Sequence, residues 1–169
     1  ISSTTVTSGD TSNDATIALA FASSESTTDL ISGDVTLSAG SIGSTFAGSG
    51  TSYTSTFTPS GDATYTISVA AGTFSDTAGN TNTVSNTFTW TYDATALTIT
   101  IASTTSGVSS GSTTNDGNIA LTFTTSESTT GFAADDITVS AGTLSSFAGA
   151  GTDYTARFTP SGDETYTIS

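Results

Sequence analysis

The chain predicts an all-β fold, built as tandem antiparallel β-sandwiches of about 100 residues per repeat. Three observations carry that prediction: the 169-residue sequence repeats itself, its apolar residues alternate with period two, and turn-forming clusters bound each alternating run. The stretch NDATIALAFASSESTTDLISGDVTLSAG returns as NDGNIALTFTTSESTTGFAADDITVSAG, and TFAGSGTSYTSTFTPSGDATYTIS returns as SFAGAGTDYTARFTPSGDETYTIS. Asn13 maps onto Asn115 and Glu25 onto Glu127 at one offset, whereas Pro59 maps onto Pro160 and Tyr65 onto Tyr166 at an offset one residue shorter. One residue is therefore lost between Gly40 and Phe46. A period of about 100 residues is domain-sized and far above the roughly 20–50 residues of a solenoid unit.

Alternation places the strands. Ile17, Leu19 and Phe21 point one way in the first copy, as Ile119, Leu121 and Phe123 do in the second. Val35 and Leu37 follow, then Tyr53 and Phe57, then Tyr65, Ile67 and Val69, and finally Phe88, Trp90 and Tyr92. The next copy opens with Leu97, Ile99 and Ile101. This is the pattern of half-buried antiparallel strands. No apolar spacing of three and four persists, and β-branched residues are too dense for helix. In the order of one complete copy the expected strands are 97–103, 15–22, 34–38, a weak 41–46, 53–58, 64–70 and 84–92. Thr58-Pro59-Ser60-Gly61-Asp62 joins the fifth to the sixth, with proline pre-setting φ. Trp90 reads as core or sheet-edge packing rather than a ligand platform. Asn13-Asp14 and Asn115-Asp116 read as turn formers.

Six or seven short strands in about 100 residues fit an immunoglobulin-like sandwich. Ile1-Ser2-Ser3-Thr4-Thr5 matches Ile101-Ala102-Ser103-Thr104-Thr105, but Ala96 to Thr100 have no counterpart before Ile1. Ser169 matches Ser68, so the second copy has no equivalent of 69–92. The expected domains are 1–94, lacking the start of its first strand, and 95–169, lacking the second half of its sixth strand and all of its seventh. The sequence reads as a window on a longer array.

Composition narrows the function. Fifteen acidic residues against the single Arg157 give a net charge of −14, which repels phosphate backbones and anionic membrane surfaces. Neither nucleic acid nor membrane insertion is expected as a partner of this segment, and divalent cations are the natural counter-charge. Hydrophobic residues make up only 34% of the chain, but their strict register argues against low-complexity disorder. With no Cys, His or Lys, a Ser-His-Asp triad, a thiolate and a histidine metal site are impossible. No catalytic residue and no enzyme activity are expected.

The elements Ser24-Glu25, Asp34-Val35-Thr36, Tyr53 to Pro59, Phe74 to Asn80 and Thr91-Tyr92-Asp93 resemble the bacterial Ig-like repeats of large surface and adhesin-type proteins. The resemblance covers essentially the whole chain and implies an extracellular or cell-surface protein. Leu97 departs from it, standing where such linkers often carry proline.

Calcium is the one site chemistry the residues favour, because hard Ca²⁺ takes six to eight oxygen ligands. In the expected topology Glu25, Asp76 and Asn80 share the pole at which the first strand enters, and the linker Asp93 enters that pole of the second copy, where Glu127 lies. Glu25, Asp76, Asn80, Asp93 and Glu127 are therefore the expected calcium ligands at inter-domain joints. Two plainer readings stand beside this one. Asp76-Thr77-Ala78-Gly79-Asn80 fits an Asx-type turn, and Glu25 and Asp93 fit solvated surface carboxylates. Alternating threonine in 87–91 suits an ordinary exposed strand face better than a carbohydrate- or ice-binding one. Asp135-Asp136 has only Gly33-Asp34 opposite it in the first copy, so any shared role rests on Asp34 and Asp136.

The expected function is a structural spacer, stalk or filament module whose partners are neighbouring repeats of the same chain and, in a filament, other copies. The alternatives are an adhesive glycan- or surface-binding module, or a subunit completed by strand exchange.

Overall fold

The structure is a computed structural model that describes residues 1–44 and 46–169. It divides into two compact units, Ile1–Thr95 and Ala96–Ser169. Among the described residues there is no α-helix, only strands and two 3-10 turns, Ser32–Asp34 and Ala134–Asp136.

In the first unit the strands are β1 (Ser2–Ser3), β2 (Thr11–Ser12), β3 (Ile17–Thr27), β4 (Val35–Leu37), β5 (Ser41–Ile42), β6 (Ala47–Thr58), β7 (Ala63–Val69) and β8 (Phe88–Tyr92). They form two four-stranded sheets, in the orders β1-β3-β6-β5 and β2-β8-β7-β4. The first strand of the fold is split between the sheets: β1 pairs antiparallel with β3, whereas β2 pairs parallel with β8, Thr11 opposite Thr91. The crossing is local chemistry. Asp10 accepts a hydrogen bond from the Thr7 N–H at 2.7 Å, and Gly9 takes φ +99°, a conformation that costs glycine little.

Alternation along these strands fills the core as expected. Ile17, Leu19, Phe57, Tyr65, Ile67 and Trp90 are 0–1% exposed. Phe57 lies edge-on to both Tyr65 and Trp90, at ring-centroid distances of 5.1 and 6.1 Å, the arrangement aromatic quadrupoles favour. Trp90 is thus core, and its Nε1 donates to Ser12 Oγ at 3.0 Å. Tyr65 closes the corner before β7, accepting from the Ser60 N–H at 2.9 Å and donating to the Gly61 carbonyl at 2.5 Å.

Several boundaries differ from the sequence expectation: the strand expected at 97–103 begins at Ile99, and the one expected at 41–46 is paired only over Ser41–Ile42, position 45 lying outside the described residues. The strand expected at 15–22 runs on to Thr27, because pairing with β6 resumes past a register shift at Thr27 opposite Gly50, where Gly50 has φ +67°. Glu25 therefore lies within a strand rather than after one. The strand expected at 53–58 starts at Ala47. The strand expected at 84–92 begins only at Phe88, and Val84 is 67% exposed.

In the second unit, β9 (Ile99–Ser103), β10 (Ile119–Thr129) and β11 (Thr143–Thr159) form a sheet ordered β11-β10-β9. Registers repeat those of the first unit: Phe123 faces Tyr154 as Phe21 faces Tyr53, and Ile119 faces Phe158 as Ile17 faces Phe57. The opposing sheet is represented by one bridge, Val139 to Ile168, flanked by paired backbone hydrogen bonds between Thr138 and Ser169.

Candidate functional site

The sandwich brings the end of β3, the segment 28–34 and the long segment 70–85 to one pole of the first unit. They enclose a concavity of about 570 Å³ whose apolar floor includes Phe21, Leu30 and Val69 and whose rim carries Glu25, Asp76 and Asn80. Three residues singled out in the sequence thus meet, and their side chains are employed differently. Asp76 Oδ1 accepts the N–H groups of Ala78 and Asn80, both at 2.8 Å, and Oδ2 accepts from Asn80 Nδ2, also at 2.8 Å. Gly79 supplies the left-handed φ of +91° that closes the turn. The donors, the Asn80 side chain first, hold the Asp76 carboxyl below its ordinary pKa. The carboxylate is organising its own loop, as an Asx turn does. Glu25 is exposed, and among the described residues no hydrogen bond reaches its carboxylate.

Two residues that sequence reasoning passed over brace this pole. Asp29 accepts from Thr27 Oγ1 at 2.5 Å, from the Ser75 N–H at 3.0 Å and from Ser75 Oγ at 2.8 Å. Its carboxyl is lowered to a pKa of about 2, chiefly by the Thr27 hydroxyl and then by Ser75. The second copy carries Gly131 at this position, so comparison of the repeats gave Asp29 no prominence. Asn82 Oδ1 accepts the N–H groups of Thr73 and Phe74, and its Nδ2 donates to the carbonyls of Ala70 and Thr83. Both ends of one amide thereby fasten the 70–85 segment to itself. An amide flanked by threonines in Asn80-Thr81-Asn82-Thr83 was the available signal.

Asp93 belongs to the other end of the first unit. Its N–H donates to the Ser12 carbonyl at 3.1 Å, and its carboxylate accepts the Thr95 N–H at 3.1 Å. Asp62 holds the same segment, accepting from Ala94 N–H at 2.9 Å and Thr95 Oγ1 at 2.6 Å, and the Thr95 hydroxyl is the main cause of its lowered pKa. Glu127 lies within β10 in the second unit, half-buried, with its carbonyl accepting from Thr125 Oγ1 at 2.6 Å. Asp34 and Asp136 do the same work in both copies, accepting the N–H of Ile31 and of Ala133 at 2.9 Å to cap the two 3-10 turns.

Calcium takes six to eight oxygen ligands, and of the expected ones Glu25, Asp76 and Asn80 line the pole of the first unit. Among the described residues no three Asp or Glu side chains come close enough to hold a metal.

A family model described as "Bacterial Ig-like domain" matches residues 2–92 and again 93–169. The chain belongs to the bacterial Ig-like domain family. Neither a curated protein nor a solved structure matches it. The paired sheets of the first unit and the tyrosine at the corner before β7 are features of this sandwich architecture. Ig-like domains of this family are typically non-catalytic and are commonly found in surface or extracellular proteins. Among the described residues no helix is long and apolar enough to cross a membrane.

Proposed function

We propose that these Ig-like modules serve as structural spacers in a large extracellular bacterial surface protein, extending a stalk or building a filament. The observation that carries this reading is where the loop side chains are spent. Asp76 and Asn82 direct their polar atoms into the 70–85 segment itself and Asp29 ties that segment to the end of β3, so that these side chains brace the pole of the first unit. A recombinant array of three complete repeats should be extended and stiff by small-angle scattering, and should bind nothing on a glycan array. Selective glycan binding would replace the spacer by the adhesive module.

Calcium is the second part of the proposal. Glu25, Asp76 and Asn80 share one pole of the first unit, and Asp93 and Glu127 are further carboxylates of the two modules. In an array with a net charge this negative, a divalent ion would relieve repulsion as it gained oxygen ligands. Titration of the three-repeat array with calcium should show saturable uptake and a rise in melting temperature. Absence of both would remove calcium and leave the spacer.

A further inference from the structure

Of the aspartates in the chain, only Asp116 is followed by glycine. That pair has a chemistry of its own, because an aspartyl carboxyl can close a ring onto the next residue's amide nitrogen, and closure is hindered least where that residue has no Cβ. The surroundings leave the reaction free. Residues 112–118 belong to no strand, Gly117 is exposed and Asp116 is half-buried. Among the described residues no hydrogen bond employs the Gly117 N–H, and nothing lies within 4 Å of where a Cβ on Gly117 would stand.

The carboxylate is held only by its own loop. Asp116 Oδ2 accepts from Thr114 Oγ1, and the Asp116 N–H donates to that same oxygen at 3.1 Å. Neither bond reaches another element, unlike those that join Asp29 to Ser75 and Asp62 to Thr95. Turning the side chain toward Gly117 therefore breaks one exposed hydrogen bond. The first unit shows that this openness belongs to the fold. Asp14-Ala15 occupies the same bend before β3, Ala15 is exposed, and its N–H is likewise unbonded although β2 beside it is paired. At the attacking nitrogen the two copies differ by the Ala15 methyl group.

We infer that Asp116-Gly117 is a self-modifying site at which the folded chain isomerises to isoaspartate through a cyclic imide. The Gly117 nitrogen attacks Cγ of the protonated Asp116 carboxyl. A C–N bond forms, the C–OH bond breaks, and the oxygen leaves as water with the acid proton and the former amide proton. Water then adds across one of the two C–N bonds of the imide. Opening at Cγ restores aspartate, whereas opening at the backbone carbonyl leaves the chain running through Cβ and Cγ. The net composition is unchanged, and water is the only co-reactant. The displaced backbone is confined: Asn118 Oδ1 accepts from Thr159 Oγ1 at 3.1 Å and Ile119 stands opposite Phe158, so the added methylene is taken up between Thr114 and Asn118. This inference does not depend on the spacer reading.

The test ages the whole 169-residue chain in a mildly acidic buffer made with heavy-oxygen water. Isoaspartate is read by transfer of a labelled methyl group from S-adenosylmethionine by an isoaspartyl methyltransferase, and located by peptide mapping. Label should accumulate at residue 116, with one solvent oxygen gained there, and a protease that cuts before aspartate should lose its cut at that position. Asp14, in the same bend of the same molecule, should isomerise about tenfold more slowly or less. Gly117→Ala, which reproduces the first copy, should slow residue 116 by about the same factor. No isoaspartate at residue 116, equal rates at Asp14 and Asp116, or an unchanged rate in Gly117→Ala would each overturn the proposal. So would isomerisation confined to a free peptide of sequence TTNDGNI, because the fold would then withhold the site. The Asp14 comparison is made within the unsubstituted chain, so it does not depend on a variant folding.

Discussion

Asp29 collects one hydroxyl from Thr27 and both donors of Ser75, and so ties the end of β3 to the 70–85 segment. Its carboxyl has a pKa of about 2 against an ordinary 3.8, so the folded state favours the ionised form. The sign follows by linkage: the tie is fully present above the unfolded value and is lost as pH falls through the folded one. Amide exchange at Ser75 should therefore accelerate between about pH 4 and pH 2, and Asp29→Asn should remove that pH dependence while the exchange of β7 stays unchanged. An unaltered Ser75 profile in the variant would show that the carboxylate does not hold the loop. The residue was illegible in the sequence because its role is defined by partners that are 46 positions away at Ser75.

At the scale of elements, β6 bends where Gly48 takes φ +133°, and a Cβ there would lie 2.2 Å from the Ser52 carbonyl oxygen. The second copy repeats the feature in β11, where a Cβ on Gly149 would lie 2.3 Å from the Asp153 oxygen. Backbone at such angles costs a non-glycine residue about 1–3 kcal/mol before any clash is added. Gly48→Ala should thus destabilise the first unit by about 3 kcal/mol or more in urea unfolding, and by more than Gly61→Ala, where φ is +149° but nothing lies within 4 Å of an added Cβ. Period-two alternation revealed every principal strand, since burial on one face imposes it. It could not reveal the extension of β3 to Thr27 or the early start of β6. Those depend on a register shift opposite Gly50, a property of the pair rather than of either strand.

At the scale of the whole molecule, the two units have unequal cores. Among the described residues the first buries eleven apolar side chains, including Trp90 and Phe88, and the second buries five. Burial of each large apolar side chain contributes about 1.5–3 kcal/mol, so the second unit is expected to unfold first. Calorimetry of the 169-residue chain should resolve two transitions, and limited proteolysis should cut within 96–169 before 1–95. A single cooperative transition would contradict independent units.

The duplicated sequence by itself determined the repeat, the all-β class and the inward-facing residues, because each follows from local alternation and from comparing one copy with the other. It also placed Glu25, Asp76 and Asn80 near one another, because strand order alone decides which loops share a pole. Tertiary structure decided what those residues do. Whether a carboxylate is offered to solvent or consumed by a turn depends on which N–H groups the backbone aims at it, as Ala78 and Asn80 are aimed at Asp76.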